Sequence, residues 1–573
     1  MMKKISILVL VVVLLVLPSG VFAYNYGEHK LIGDQAFTKF ISSLQHTSAA
    51  ATFRSLLNLK AGKAGGPYDF PMSLKTVNAA VEEKNRISYG TLNGLSGDHL
   101  RDPYTLIEFL SDSSSAVYKI ITLHEEYIAA GYSAAPDGKL VKLDFGYALL
   151  AMKNLSHFYQ YGKPFQEQLH AFDKDVIGQC QRPELARQAF TRLNKTNAIN
   201  MYVTLHLVAM DWAAQSGRLK GNPEQARTLL MFALLFNGFA DHFLEDSFSS
   251  GHLVVKRTVA ASVVNNKALH DFYSANGTMV LNRKAEIWKA HGDGTFNKPE
   301  FIKESARVLE AVELSLNDLW IAYENAALTG RESDFLMRIP EGKKMQENYL
   351  LNNLPALKLV PIPYNSDLPS LFENTEVTDS MKKTNQILPY RNFVRSRIGN
   401  SVVIGINGPS FSTKNYYRSF DFRINAGSIS NRHTFNSKGG KKGVWDYWHG
   451  YTVAYSWGET GPYRDEFHKG ATHQFRVGIR SNFDYWLNDK KFIGIYGYME
   501  GGIQYGNRET SPIFVPSAGL QLGSLLNINY YNMPGWLRLP AQYLLPLKFR
   551  QGVVLTVKHP PKYFYGFEMD FVL

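Results

Sequence analysis

His242, Asp246 and His252 stand together in the run Asn237-Gly238-Phe239-Ala240-Asp241-His242-Phe243-Leu244-Glu245-Asp246-Ser247-Phe248-Ser249-Ser250-Gly251-His252. His242 and Asp246 are four residues apart and so share one face of a helix. Ser249-Ser250-Gly251 stops that helix and lets His252 fold back towards the same point. An imidazole, a carboxylate and a second imidazole converging at a helix end suit a zinc ion. The bland alternative is a buried His–Asp hydrogen-bonded pair. A second set of donors lies near the start. Cleavage before Tyr24 would free an α-amine, whose pKa of about 8 lets it bind metal once deprotonated. His29, five residues on, can reach the same ion.

The elements that must carry these groups are helices. Asn222-Pro223-Glu224 reads as a helix start, with Asn as N-cap and Pro in the first turn. From Ala226 to Phe239 the pattern is apolar nearly all round, which predicts a buried helix. Such a helix seldom keeps charged residues without partners. Leu140–Leu155, Ala198–Ser216, Pro223–Ser247 and Ser305–Ala327 all show the three- and four-residue spacing of helices, and residues 24–335 read as one α-helical domain. Prolines 340, 355, 361, 363, 369 and 389 then interrupt the pattern, so residues 336–390 read as a Pro-rich linker or an irregular wrapping segment.

Beyond the linker the period changes to two. In Phe475–Tyr485 large apolar residues alternate with Arg476, Gly478, Arg480, Asn482 and Asp484. Phe420–Ser428, Tyr451–Trp457, Ala518–Tyr530, Leu547–Val557 and Tyr563–Leu573 show the same alternation. About eight strands of roughly ten residues are expected in 391–573, the length that crosses a bilayer at a tilt. The alternatives are a soluble β-sandwich and an antiparallel outer-membrane β-barrel. Aromatics on the apolar face and a last strand running to the final residue favour the barrel.

The bulk numbers agree with two or three folded domains: 573 residues, 45% apolar and 20% charged. Residues 1–23 have the basic start, short apolar run and small residues before Tyr24 of a secretory signal peptide. Cys180 is the only cysteine, so stability must come from packing and metals rather than disulfides. The net charge of +12 is concentrated after Gln386, where 22 Lys+Arg face 11 Asp+Glu. The region with the chemistry is near neutral, and no specific nucleic-acid partner is predicted.

An N-terminal aromatic residue, a nearby His and a distant HxxxDxxxxxH together resemble the zinc-dependent phospholipase C and single-strand nuclease superfamily. The resemblance covers about residues 24–295. It implies an all-α domain holding two or three zinc ions. Tyr24 and His29 match the terminal pair, with Tyr where the family usually has Trp. His242, Asp246 and His252 match the central motif, with Asp246 bridging two ions. Asp98 and His157 match the intervening Asp and His, at a separation that requires an insertion. His270 matches the first residue of a final HxxxE or HxxxD pair, but Ser274 stands where the carboxylate belongs. Asp271 or Asp293 would have to supply it if a third site exists.

The resemblance also implies Asp98 as the general base. The bland alternatives are a surface His99 beside a structural Asp98 and a core His157; His206 reads as a core or supporting residue, and Asp241 and Glu245 as supporting or surface carboxylates. The function expected is a phospholipase C acting on phospholipid head groups. It would be exported, and tethered to a bacterial outer membrane by the barrel, with the helical domain periplasmic or surface-exposed. A secreted or periplasmic single-strand nuclease is the alternative, and a non-catalytic outer-membrane binding protein with a remnant metal site is a second one.

Overall fold

The computed structural model describes residues 26–363, except 62–67, 72–85, 101, 111–113, 131–138, 141–142, 145–154, 160–173, 194, 220, 255–269, 271–272, 275–276, 293, 297 and 332–337. It also describes residues 400–572, except 410–414, 429–443, 463–469, 487–491, 507–508, 522–546 and 558. These residues form two compact units, one helical and one a closed barrel. The signal peptide, Tyr24 and most of Leu140–Leu155 lie outside the described residues.

In the helical unit the elements that build the site are α1 (Tyr26–Ser43), α2 (Tyr89–Leu95), α3 (Ala198–Arg218), α4 (Pro223–Asp246) and α5 (Ile302–Thr329). The Asn222 side chain accepts from Gln225 N at 3.2 Å and starts α4 as its sequence predicts. Every residue from Ala233 to Asp246 is buried, because α4 is enclosed by α3, α5 and α2. Each large apolar side chain so buried contributes about 1.5–3 kcal/mol.

The polar groups within α4 are bonded to its neighbours. Tyr89 on α2 and Ser315 on α5 each donate to Asp241 at 2.6 Å, and Asn237 Nδ2 donates to it at 3.0 Å. His206 on α3 donates from Nδ1 to Asn237 Oδ1 at 2.6 Å. Burial pushes Asp241 up to about 7, against the pull of the Ser315 and Tyr89 hydrogen bonds. This network joins four helices and fixes the rotation of α4 about its axis.

The unit is not purely helical. Lys60–Ala61, Tyr68–Pro71 and Arg86–Ser88 form one small antiparallel sheet. In another, Thr278–Leu281 lies between Ile287–Ala290 and Ile362–Pro363. The strand Ile362–Pro363 comes from the Pro-rich segment. Residues expected as a linker or an irregular wrapping segment include α6 (Lys343–Asn353) and buried apolar residues, with Leu350, Leu354, Leu357 and Val360 at 0% exposure. The prolines break regular structure there, but the apolar residues between them still need a core.

His124, on the helix Ala116–Ala129, is buried edge-on against Tyr26, and burial with nearby Lys30 lowers its pKa to about 3. The unfolded chain therefore binds one more proton than the folded one between the ordinary value of about 6.5 and about 3. Stability should fall as pH drops through that window, by up to about 1.4 kcal/mol per pH unit for this one group. Urea midpoints of the helical signal at several pH values check this, with a shallower slope expected in His124→Phe.

The second unit is an eight-stranded closed antiparallel barrel, as its alternation predicts. Its strands are β1 (Asn400–Pro409), β2 (Asn415–Ser428), β3 (Val444–Pro462), β4 (Gly470–Trp486), β5 (Phe492–Gly506), β6 (Glu509–Gln521), β7 (Leu547–Thr556) and β8 (Lys562–Val572). β8 pairs with β1 from Phe564↔Pro409 to Val572↔Ser401 and closes the ring. Of the expected strand Ala518–Tyr530, the first four residues fall within β6 and the rest lie outside the described residues, while β5 shows no clear alternation in its sequence. Glycines on both of its faces and tyrosines on its inner face hide the period.

The two faces of the barrel are the reverse of a soluble core. Phe475 is 56% and Ile479 50% exposed, while Arg476 is 0% and Arg480 4%. At one level the lumen is filled by Asp421, Arg423, Arg476, Glu500, Arg550 and Glu568. Arg423 donates to Glu500 at 2.9 and 3.0 Å, to Asp421 at 3.1 Å, and also to Glu568. Asp421 also accepts from Arg476 at 3.1 Å and Arg550 at 2.6 Å. Nearer the β1–β2 turn the lumen holds an apolar cluster of Tyr417, Ile513, Val515, Val554 and Phe564.

Candidate metal centre

Four chain segments bring their donors together where α4 ends. His29 stands in the first turn of α1. Asp98 follows α2 in a turn closed by Asp98 N donating to Ser96 O at 2.7 Å. His157 ends a short 3-10 turn, Leu155–His157. His242 and Asp246 come from the last turn of α4, and His252 from the helical turn Ser250–Val254 just after it.

Asp246 is the centre. Its carboxylate lies 2.5 Å from His157 Nδ1, 3.2 Å from His252 Nδ1, 3.6 Å from His242 Nε2 and 3.7 Å from His29 Nε2. Ligand atoms lie within 4.8 Å of one another inside each of two groups: His29, Asp98 and His242, and His157, His242 and Asp246. All five residues are buried. Burial pushes the Asp246 carboxyl well up, and burial together with neighbouring imidazoles holds His29 and His242 well below the usual histidine range. A divalent cation at such a cluster would favour the ionised carboxylate and the neutral imidazoles, the forms that ligate metal.

The imidazoles are fixed from behind. His242 donates from Nδ1 to the carbonyl of Asn93 at 3.1 Å, and His29 from Nδ1 to Glu245 at 2.5 Å. In both rings Nε2 is left facing the cluster, the arrangement by which metal-binding histidines are held. His252 donates from Nδ1 to the carbonyl of His157 at 2.7 Å.

Gly97 supplies the space. Its φ is +71°, and a Cβ there would lie 2.6 Å from His242 Cδ2 and 2.8 Å from His157 Cε1. Gly97→Ala should therefore push two imidazoles apart and strain the turn. We expect metal affinity to fall at least about tenfold, by analogy with the loss of a group that orients ligands, and chelator competition measures it.

Other sequence candidates fall elsewhere. His270 is buried but belongs to neither group of ligand atoms, and Asp271 and Asp293 lie outside the described residues. Ser274 is buried beside Ser249, where a Cβ on Gly292 would come within 2.6 Å of the Ser274 hydroxyl and 2.4 Å of the Ser249 hydroxyl. His99 is no surface residue: it is buried, with Nδ1 donating to Asp144 at 3.1 Å. Asp241 and Glu245 are not surface carboxylates either, since both are fully buried in α4. The loop after His291 is tied to the start of α1, with Gly294 N and Phe296 N donating to Glu28 at 2.8 and 3.0 Å. Sequence reasoning missed Asn93 and Glu28. A carboxylate next to the motif residues in a helix apolar on all sides was the available signal for Glu245.

The chain matches no family model, no curated protein and no solved structure.

Proposed function

We propose that the helical unit is a zinc-dependent phosphodiester hydrolase, a phospholipase C acting on phospholipid head groups, and that the barrel tethers it to an outer membrane. The observation that carries this reading is the pair of ligand groups sharing His242 at the buried end of α4. His29, Asp98, His157, His242 and Asp246 would hold the metal, and the imidazole and carboxylate donors suit zinc. When bound, clustered zinc supplies charge to the phosphate oxygens and lowers the pKa of an attacking water towards about 7.

The chain's own part is orientation and proton transfer. His29 and His242 present Nε2, and Asp246 accepts from His157 Nδ1 at 2.5 Å. Asp98, buried in the first ligand group, is the residue proposed to take a proton from water as general base. A cysteine nucleophile is not needed, and Cys180 is unsuited to the role, since burial pushes its thiol up to about 12.

The barrel supports a lipid substrate over the nuclease alternative. Its exterior presents Tyr451, Trp457, Phe475, Val477, Ile479, Ile495, Met499 and Ile503 to the surroundings, an apolar coat that suits a bilayer. The filled lumen supports an anchor rather than a conduit. The test uses full-length mature protein refolded in detergent with zinc, assayed side by side on phosphatidylcholine and single-stranded DNA. Phosphocholine release is the expected result. Cleavage of DNA alone would move the assignment to a nuclease, and zinc-free, inactive protein would sink the enzymatic reading.

A further inference from the structure

Glu245 is adjacent to Asp246, but about 100° round the helix, so the two carboxylates serve different partners. Asp246 faces the ligand atoms. Glu245 instead accepts from His29 Nδ1 at 2.5 Å through one oxygen and from the Asn93 amide through the other. The backbone carbonyl of the same Asn93 accepts from His242 Nδ1 at 3.1 Å. The rings of His29 and His242 stack with centroids 4.0 Å apart. One residue of α2 therefore holds both stacked imidazoles from behind, one directly and one through Glu245.

We propose that Asn93 and Glu245 form a brace that sets the tautomer and orientation of His29 and His242, and with them the affinity of the centre for a divalent cation. Both are positioning residues. The inference rests on reading the cluster as a metal centre. The carboxylate has two donors to satisfy, and only an acceptor on both oxygens does so. With that acceptor in place the His29 proton stays on Nδ1 and Nε2 keeps its lone pair for metal.

Glu245→Gln tests this directly. Glutamine offers one acceptor and one donor, so it opposes either Asn93 or His29 with a second donor. Asn93→Asp combined with Glu245→Gln restores the match: the new amide donates to the new carboxylate on α2, its carbonyl accepts from His29, and the backbone carbonyl that holds His242 is untouched. In full-length protein in detergent, with zinc titrated against a chromogenic chelator, Glu245→Gln should lower affinity about 10–100-fold. The double variant should recover most of the loss. Imidazole nitrogen shifts of the wild type provide a second readout that needs no variant, and they should show His29 protonated on Nδ1. Unchanged zinc affinity in Glu245→Gln, no recovery in the double variant, or a proton on His29 Nε2 would each overturn the brace alone. Wild-type protein that takes up no zinc would overturn the metal reading and the brace together.

Discussion

Asp246→Asn is expected to abolish metal retention and to reduce phosphodiester hydrolysis by about 10³-fold or more. Four imidazoles converge on this one carboxylate at 2.5 to 3.7 Å. Asparagine keeps the volume but removes the ionisable carboxyl and puts an amide donor among ligand atoms that need an anionic oxygen. Several kcal/mol of transition-state stabilisation would leave with the metal, and each 1.36 kcal/mol is tenfold in rate. Elemental analysis of the purified variant and its turnover on phosphatidylcholine check the two halves separately. The helical circular dichroism should be retained, because α4 is held by the separate Asp241 network. A variant that keeps both metal and activity would remove Asp246 from the centre.

In the barrel the largest effect is expected from Asp421→Asn. Asp421 contacts Arg423, Arg476 and Arg550, and all four side chains are fully buried. Removing one partner of a buried ion pair leaves charge uncompensated and costs about 3–5 kcal/mol. The barrel should unfold at clearly lower urea concentration, or lose its resistance to detergent on unheated gels. Conservative exchange on the outer face, such as Ile479→Val, should have little effect because no partner is stranded. Equal sensitivity at the two positions would contradict the ionic filling of the lumen.

The strongest sequence signals were periodic ones. Ala198–Ser216, Pro223–Ser247 and Ser305–Ala327 correspond to α3, α4 and α5 within three residues at each end, because a buried helix with caps repeats its pattern many times. Phe475–Tyr485 likewise lies inside β4. Where the side chains on both faces are alike, as in Phe492–Gly506, the period gives nothing to read. The segment around Leu350 to Ile362 was hidden for another reason: its prolines are visible in sequence, but the apolar surface it covers is not.

In the candidate site, residues with unusual chemistry in an apolar setting were legible. His29, Asp98, His157, His242 and Asp246 all stand out by type and order along the chain, without any knowledge of their proximity. Asn93 could not be read, since its contribution is partly a backbone carbonyl, which every residue possesses. Gly97 was equally silent, because only the packing shows what its missing Cβ makes room for.

The seam of the barrel bears on how the chain comes to be folded. β8 completes the ring by pairing Val572 with Ser401, so the last strand to be synthesised is needed before the first has both neighbours. Such distant pairing is slow to form and leaves strand edges open in the meantime. Every described donor of the candidate centre, from His29 to His252, has by then long been made. The helical unit can thus reach its native packing while the barrel strands wait for closure. A chain shortened by its final strand should therefore keep the centre while leaving β1 and β7 with unpaired edges, the kind of surface on which strands aggregate.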